Sequence, residues 1–160
     1  MGDKHRFDIF ANFVATILHR DARIADVAGG GGDLQKALRA LGFTSVTSWD
    51  NRHIKDRVRG MTYVRSYFDY TRVSPKHYDA IIGLHPDGGT DQIVMYATTY
   101  GKTAIVCPCC VIPTATKFVG GDFDAWVAHL KRVAQARGKL VIERTLKMKG
   151  RNTVLVIKGK

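Results

Sequence analysis

Hydrophobic and polar positions along the chain switch between two rhythms, one of period 3.6 and one of short continuous apolar runs. In residues 6–18 (RFDIFANFVATIL), Phe7, Ile9, Phe10, Phe13, Val14, Ile17 and Leu18 fall mostly at helical spacing, which predicts an amphipathic helix. Residues 23–27 (RIADV) predict a short strand, and Gly29, Gly30, Gly31 and Gly32 follow it directly. From residue 33 to 41 the apolar Leu34, Ala37, Leu38 and Leu41 share one helical face, with Asp33 suited to the helix start and Gly42 to its stop. Residues 45–49 read as a second strand that ends at Asp50.

Beyond a basic stretch holding Arg52, Lys55, Arg57 and Arg59, residues 61–68 (MTYVRSYF) predict a third, shorter strand. The continuous apolar run 78–85 (YDAIIGLH) predicts a buried strand, and residues 90–101 a helix capped by Thr90 and ended by Gly101. Residues 102–110 (KTAIVCPCC) form the next strand. A loop through Pro113 and Gly120-Gly121 then leads into a helix over 122–138, started by Asp122 or Asp124. The chain closes on 140–148 (LVIERTLKM), a polar turn KGRN and 153–158 (TVLVIK), a hairpin pattern.

Strands alternating with helices predict a parallel sheet with helices on both faces, and the terminal hairpin adds an antiparallel strand. The expected fold is therefore α/β, Rossmann-like and doubly wound, with a mostly parallel seven-stranded sheet and a C-terminal antiparallel hairpin. A dinucleotide-binding fold would finish with another parallel unit instead. At 160 residues, 45% of them hydrophobic, the chain suits one domain over 1–160. It has no apolar run of about 18 residues and no signal-like apolar core near its start, which predicts a cytoplasmic protein without membrane contact.

The net charge of +11 is unevenly placed: residues 131–160 carry ten Lys/Arg and a single acid, Glu143. A basic end of this kind suits a polyanion such as nucleic acid, the plainer alternative being a solvated surface. Cys107, Cys109 and Cys110 are odd in number and crowded, which fits reduced thiols better than a disulfide framework.

The densest chemical signal is Asp26-Val27-Ala28-Gly29-Gly30-Gly31-Gly32-Asp33 at a strand-to-helix turn. A phosphate-binding P-loop would end in Gly-Lys-Ser/Thr, and a nicotinamide fingerprint would need a third glycine where Leu34 or Gln35 stands. What remains is an acid before the glycines, Asp26, and another at the end of the second strand, Asp50. A carboxylate at that strand tip accepts two hydrogen bonds from vicinal ribose hydroxyls. Asp26 near the loop suits a cationic group, so together they describe a nucleoside with a positively charged tail, which is S-adenosylmethionine.

On these residues the chain resembles the class I S-adenosylmethionine-dependent methyltransferases. The acid and glycine-rich first motif is matched by Asp26, Ala28, Gly30 and Gly32, with alanine in place of the first glycine, and the acid of the second motif by Asp50. The resemblance implies a cofactor site of Asp26, Ala28, Gly29, Gly30, Gly32, Asp33, Asp50, Asn51, Ser66, Tyr67 and His85. Trp49 is a candidate flank for the adenine. Ser66 and Tyr67 stand where the family commonly has an acidic adenine contact. Gly83-Leu84-His85-Pro86-Asp87 lies where the family places its chemistry, which makes His85 and Asp87 the catalytic candidates, His85 as a base or as a loop-holding hydrogen-bond partner.

A Leu-His strand end followed by Pro108-Cys109-Cys110 is similar to methyltransferase domains linked to RNA, particularly tRNA, modification. The implied function is methyl transfer to RNA such as tRNA or rRNA, with Arg52, Arg144, Lys147, Lys149 and Arg151 as substrate contacts and a second copy or a partner subunit aiding recognition. Two other readings stay open: a catalytically inactive S-adenosylmethionine-binding subunit, and a methyltransferase acting on a protein or small molecule. Cys109 or Cys110 as a nucleophile competes with simple packing at a strand end. For zinc held by Cys107, Cys109, Cys110 and His85, the C-x-C-C spacing departs from the usual pairs, so no metal is expected.

Overall fold

The computed structural model describes residues 2–160. Its helices are α1 (Arg6–Ala15), α2 (Asp33–Ala40), α3 (Thr90–Tyr100) and α4 (Phe123–Ala136). Its strands are β1 (Ile24–Val27), β2 (Val46–Trp49), β3 (Tyr63–Val64), β4 (Ala80–Leu84), β5 (Thr103–Cys107), β6 (Val141–Thr145) and β7 (Thr153–Ile157). They form one seven-stranded sheet of order β3-β2-β1-β4-β5-β7-β6. Pairing is parallel from β3 to β5, and β7 runs antiparallel to both β5 and β6. The expected architecture is the one observed.

Side-chain alternation along the strands builds two cores from one sheet. Ala25, Val27, Ile81, Ala104, Val106, Leu155 and Ile157 face the layer of α3 and α4, where Tyr96, Trp126 and Leu130 are fully buried. Ile24, Ile82, Leu84, Ile105, Cys107, Val154 and Val156 face α1 and α2, against Phe10, Val14, Leu34 and Leu38. The strand β4 is buried on both faces throughout, which is why its sequence is a continuous apolar run rather than an alternating one.

Local differences from the sequence reading have identifiable causes. The first helix ends at Ala15, not Leu18, because the chain tightens there through bonds from Thr16 and Ile17 to the Phe13 and Val14 carbonyls. Thr90 does not cap α3: Gly89 occupies that position, while the Thr90 hydroxyl donates to the Asp87 carbonyl at 3.0 Å. Asp122 does cap α4, accepting from the Ala125 amide at 2.7 Å. The third strand shrinks to two residues, with Tyr63 and Val64 paired to Ser48 and Trp49. No helix among the described residues is long and apolar enough to cross a membrane.

Candidate active site

The carboxyl ends of β1, β2 and β4 meet where the strand order reverses, and a cavity opens there. The chain leaves β1 through Ala28 in a left-handed conformation, φ 56°, and Gly30 and Gly32 follow at φ 58° and 99°. Three left-handed residues in five turn the strand into α2. The Gly29 amide bonds the Trp49 carbonyl at 3.1 Å, which fastens the loop to the tip of β2.

The four glycines do different things. A Cβ on Gly29 would collide with the Asp26 carboxylate and the Ser48 side chain beneath the loop. One on Gly32 would meet the Met61 sulfur at 2.7 Å, so its small size serves packing under the loop. Only Gly30 is free of such neighbours, with the Arg52 guanidinium 3.8 Å away.

Asp50 is 7% exposed, and its carboxylate is crowded with donors. The Gly30 amide reaches Oδ2 at 3.0 Å and the Arg52 amide reaches Oδ1 at 3.0 Å. The Arg52 guanidinium adds a forked pair, Nε to Oδ1 at 2.9 Å and Nη2 to Oδ2 at 2.7 Å. Burial alone would raise this carboxyl, but the hydrogen bonds from Arg52 and Gly30 outweigh it and hold Asp50 below the ordinary carboxylate value.

Asp26 is 1% exposed and lies under the glycine loop rather than on the cavity wall. Ser48 donates to its Oδ2 at 2.9 Å, and Gln35 in turn donates to the Ser48 hydroxyl at 2.9 Å. Burial pushes the Asp26 carboxyl up to about 7, with a smaller contribution from the nearby Asp50 charge.

Around the cavity mouth stand Ala28, Trp49, Asp50, Asn51, Ser66 and Tyr67 from one side and Pro86, Asp87, Gly88 and Gly89 from the other. The Tyr67 hydroxyl bridges the two sides by donating to the Gly88 carbonyl at 3.0 Å. Trp49 sits edge-on to Phe68 and donates from its indole to the Tyr78 hydroxyl at 3.0 Å.

The fold as a whole is similar to solved structures of methyltransferases. Magnesium protoporphyrin IX methyltransferase (ChlM) from Synechocystis PCC 6803, solved with bound SAM, superposes at a TM-score of 0.65 with 12% identity, covering 98% of this chain and 79% of that one. The ribosomal protein L11 methylase from Lactobacillus delbrueckii subsp. bulgaricus gives 0.60 with 16% identity over 97% and 77%. The sugar N-methyltransferase KedS8 from Streptoalloteichus sp ATCC 53650 gives 0.61 with 13% identity over 96% and 88%. This chain has the fold of the S-adenosylmethionine-dependent methyltransferases. No family model and no curated protein matches the sequence.

In this methyltransferase fold the tip of β4 carries two more left-handed residues, His85 at φ 53° and Asp87 at φ 47°. Asp87 lines the cavity, and the Cys109 thiol donates to its Oδ1 at 3.1 Å. His85 does not line it. Its Nε2 lies 2.8 Å from the Arg151 carbonyl, and since a carbonyl only accepts, that nitrogen carries the hydrogen. The ring thereby ties the β6–β7 turn to the β4 tip.

The Cys107 thiol points the same way, 3.5 Å from the Arg151 carbonyl, and burial pushes it up to about 12. Burial and the Asp87 carboxylate also push the Cys109 thiol well above its usual range, which argues against a free nucleophilic thiolate.

Of the basic candidates, only Arg52 reaches the cavity. Arg144, Lys147, Lys149 and Arg151 are exposed on β6 and the following turn, with the Arg151 guanidinium 3.8 Å over the Phe123 ring. Asp33 is exposed in the first turn of α2.

Sequence reasoning missed Phe68, Gly88, Gly89 and, behind the wall, Asp91. Asp91 is fully buried and accepts from the amides of Thr114, Ala115 and Thr116 and from the Thr116 hydroxyl. Thr114 also donates to the Gly88 carbonyl at 2.6 Å, so Asp91 anchors the loop that backs the cavity. An acid in the first turn of a helix is ordinary from the sequence, since it suits the helix dipole, so nothing there marks this role.

Proposed function

We propose that this protein transfers the methyl group of S-adenosylmethionine to a nucleic acid, with RNA as the acceptor. The observation that carries the reading is the meeting of the Asp50 carboxylate, the left-handed Ala28 turn and the Asp87 turn around one cavity at the strand tips. The residues fit a nucleoside. Asp50 offers two carboxylate oxygens to ribose hydroxyls once the Arg52 side chain, 62% exposed, swings off them. Asn51, Ser66, Tyr67 and Trp49 supply polar and aromatic groups for an adenine, and Gly30 leaves the backbone open to close approach.

The bound cofactor would supply a methyl carbon on a sulfonium sulfur; the acceptor's lone pair forms the new bond as the carbon–sulfur bond breaks and the acceptor loses a proton. Asp87 and the Pro86–Gly89 turn hold the acceptor at the mouth, and the Asp87 carboxylate receives that proton or orients an amine. Asp26, Gly29, Gly32 and Asp33 shape the loop from below. His85 acts as a positioning residue through Arg151.

RNA is favoured by where the charge lies. The His85–Arg151 contact seats a turn bearing Lys147, Lys149 and Arg151 beside the acceptor mouth, where phosphates would be fixed without selecting a base. The similar structures act on a porphyrin, a ribosomal protein and a sugar, so the fold leaves the acceptor to be decided by such surfaces.

Calorimetry with S-adenosylmethionine tests the cofactor: we expect one site, weakened more than about tenfold in Asp50→Ala, where two charge-assisted bonds are lost. Absence of heat in the wild type would overturn the reading. Incubation with labelled cofactor and fractionated cell extract tests the acceptor, and label in protein or small molecules but not RNA would overturn its nucleic-acid half.

A further inference from the structure

Methyl transfer as described leaves the Pro108-Cys109-Cys110 strand end unused. In the fold β5 ends at Cys107 and the chain bends at Cys110, which breaks the alternation that would send neighbouring cysteines to opposite faces. A third donor then arrives from the turn after β4, which ends at Leu84. Asp87, placed by its left-handed backbone, brings Oδ1 to 3.1 Å from Cys109 Sγ, and one ligand atom each from Asp87, Cys109 and Cys110 lie within 4.8 Å of one another.

A tetrahedral ion with bonds of ~2.3 Å to sulfur and ~2.1 Å to oxygen spaces its ligand atoms roughly 3.5 to 3.8 Å apart. The exposed Cys110 and Asp87 can close on such an ion by a shift of about 1 Å or less, starting from the 4.8 Å spread. The four-residue set suggested by composition does not assemble, because Cys107 and His85 both turn to the Arg151 carbonyl. The crowded spacing loses its force once the third ligand comes from the turn after β4.

We infer that Asp87, Cys109 and Cys110 form a binding site for a thiophilic divalent transition-metal ion of the zinc class. Two sulfurs disfavour magnesium and calcium, which take oxygen ligands. No fourth His, Cys, Asp or Glu joins the trio among the described residues, so one coordination position stays open. Three protein ligands and an open position is the arrangement of catalytic rather than structural zinc. Because Asp87 also lines the cavity, the open position lies at its mouth, where a bound hydroxyl, thiol or ring nitrogen would lose its proton more readily. In that state Asp87 is a ligand and the ion takes over the handling of the acceptor proton. This last consequence rests on the methyl-transfer reading; the site itself does not.

The test is a cobalt titration of the reduced, chelator-stripped protein without cofactor. We expect one equivalent per chain, an intense thiolate-to-cobalt charge-transfer band, visible bands of a tetrahedral site, and displacement by zinc. Cys109→Ser, Cys110→Ser and Asp87→Asn should each weaken cobalt more than about tenfold. Zinc should also slow alkylation of Cys109 and Cys110, read by peptide mass, while buried Cys107 reacts slowly with or without it.

No stoichiometric cobalt, a spectrum without the thiolate band, or affinity unchanged in any of the three variants would overturn the site. Calorimetry with S-adenosylmethionine on the same stripped protein separates the two proposals, since cobalt binding without cofactor binding sinks only the methyl-transfer reading.

Discussion

Ala28 stands at φ 56°, where a Cβ costs roughly 1–2 kcal/mol, and this explains why the methyltransferase motif that the sequence resembles has glycine there. Ala28→Gly should therefore stabilise the protein by about 1 kcal/mol net of the extra unfolded-state freedom, read from the denaturation midpoint. As members of one glycine-rich motif, Gly30 and Gly32 are alike in the sequence, and a Val at either would block the cofactor. The structure separates them in degree: Gly32→Val adds a clash with Met61 and Val58 to its left-handed backbone strain and should cost more than about 2 kcal/mol of stability, whereas Gly30→Val at φ 58° carries only the backbone cost, about 1–2 kcal/mol as at Ala28, and should abolish binding in a protein that still folds. Asp26 makes a prediction about pH. With its folded value near 7 and an unfolded value near 3.8, the folded state keeps a proton that the unfolded chain has released. Its contribution is thus fully present below about pH 4 and is lost as pH rises to about 7, a matter of a few kcal/mol. The difference in unfolding free energy between wild type and Asp26→Asn, followed from pH 4 to 8, should show that slope; a difference independent of pH would contradict the buried, protonated carboxyl.

Elements behave as linked units around the strand tips. The loop after β5 is held to α3 by four donors on Asp91, and through the Thr114 hydroxyl it supports Gly88 on the cavity wall. Asp91→Ala should cost more than about 3 kcal/mol and speed amide exchange at residues 114–116, because buried donors lose a charged acceptor. Asp91→Asn, which keeps an acceptor oxygen, should recover part of both. The hairpin turn is linked to β4 through His85. Its loss in His85→Ala should weaken RNA binding while leaving cofactor affinity unchanged, which a role as the sole catalytic base would not predict. Strand and helix order, the Asp122 cap and the terminal hairpin were legible from periodicity and turn residues. The early end of α1 and the two-residue β3 were not, the first being set by the tightened turn after Ala15 and the second by pairing with Ser48 and Trp49 of β2 alone.

At the scale of the molecule, the charge is placed rather than spread. Ten of the 25 Lys/Arg lie in residues 131–160, on α4 and just after it, on the edge strand β6, in the turn between the last two strands, and after β7. If that surface contacts RNA, neutralising Lys147, Lys149 and Arg151 together should reduce the slope of log affinity against log salt by about 2, without changing S-adenosylmethionine binding. Anisotropy titrations at several salt concentrations read this directly. An unchanged slope would move the RNA elsewhere on the surface.

Amino-acid order alone determined the layers, the strand count, the glycine turn after β1 and the acid at the tip of β2, because these follow from local periodicity, turn chemistry and short-range spacing. Tertiary structure decided what those residues face. It put Asp26 beneath the loop instead of in the cavity, set Arg52 across the Asp50 carboxylate, and turned His85 toward the hairpin. It also brought Asp87, in the turn after β4, to Cys109 and Cys110, just past the end of β5. Such meetings depend on parallel strands laid side by side by long crossovers, and no pattern within either segment encodes the distance between them.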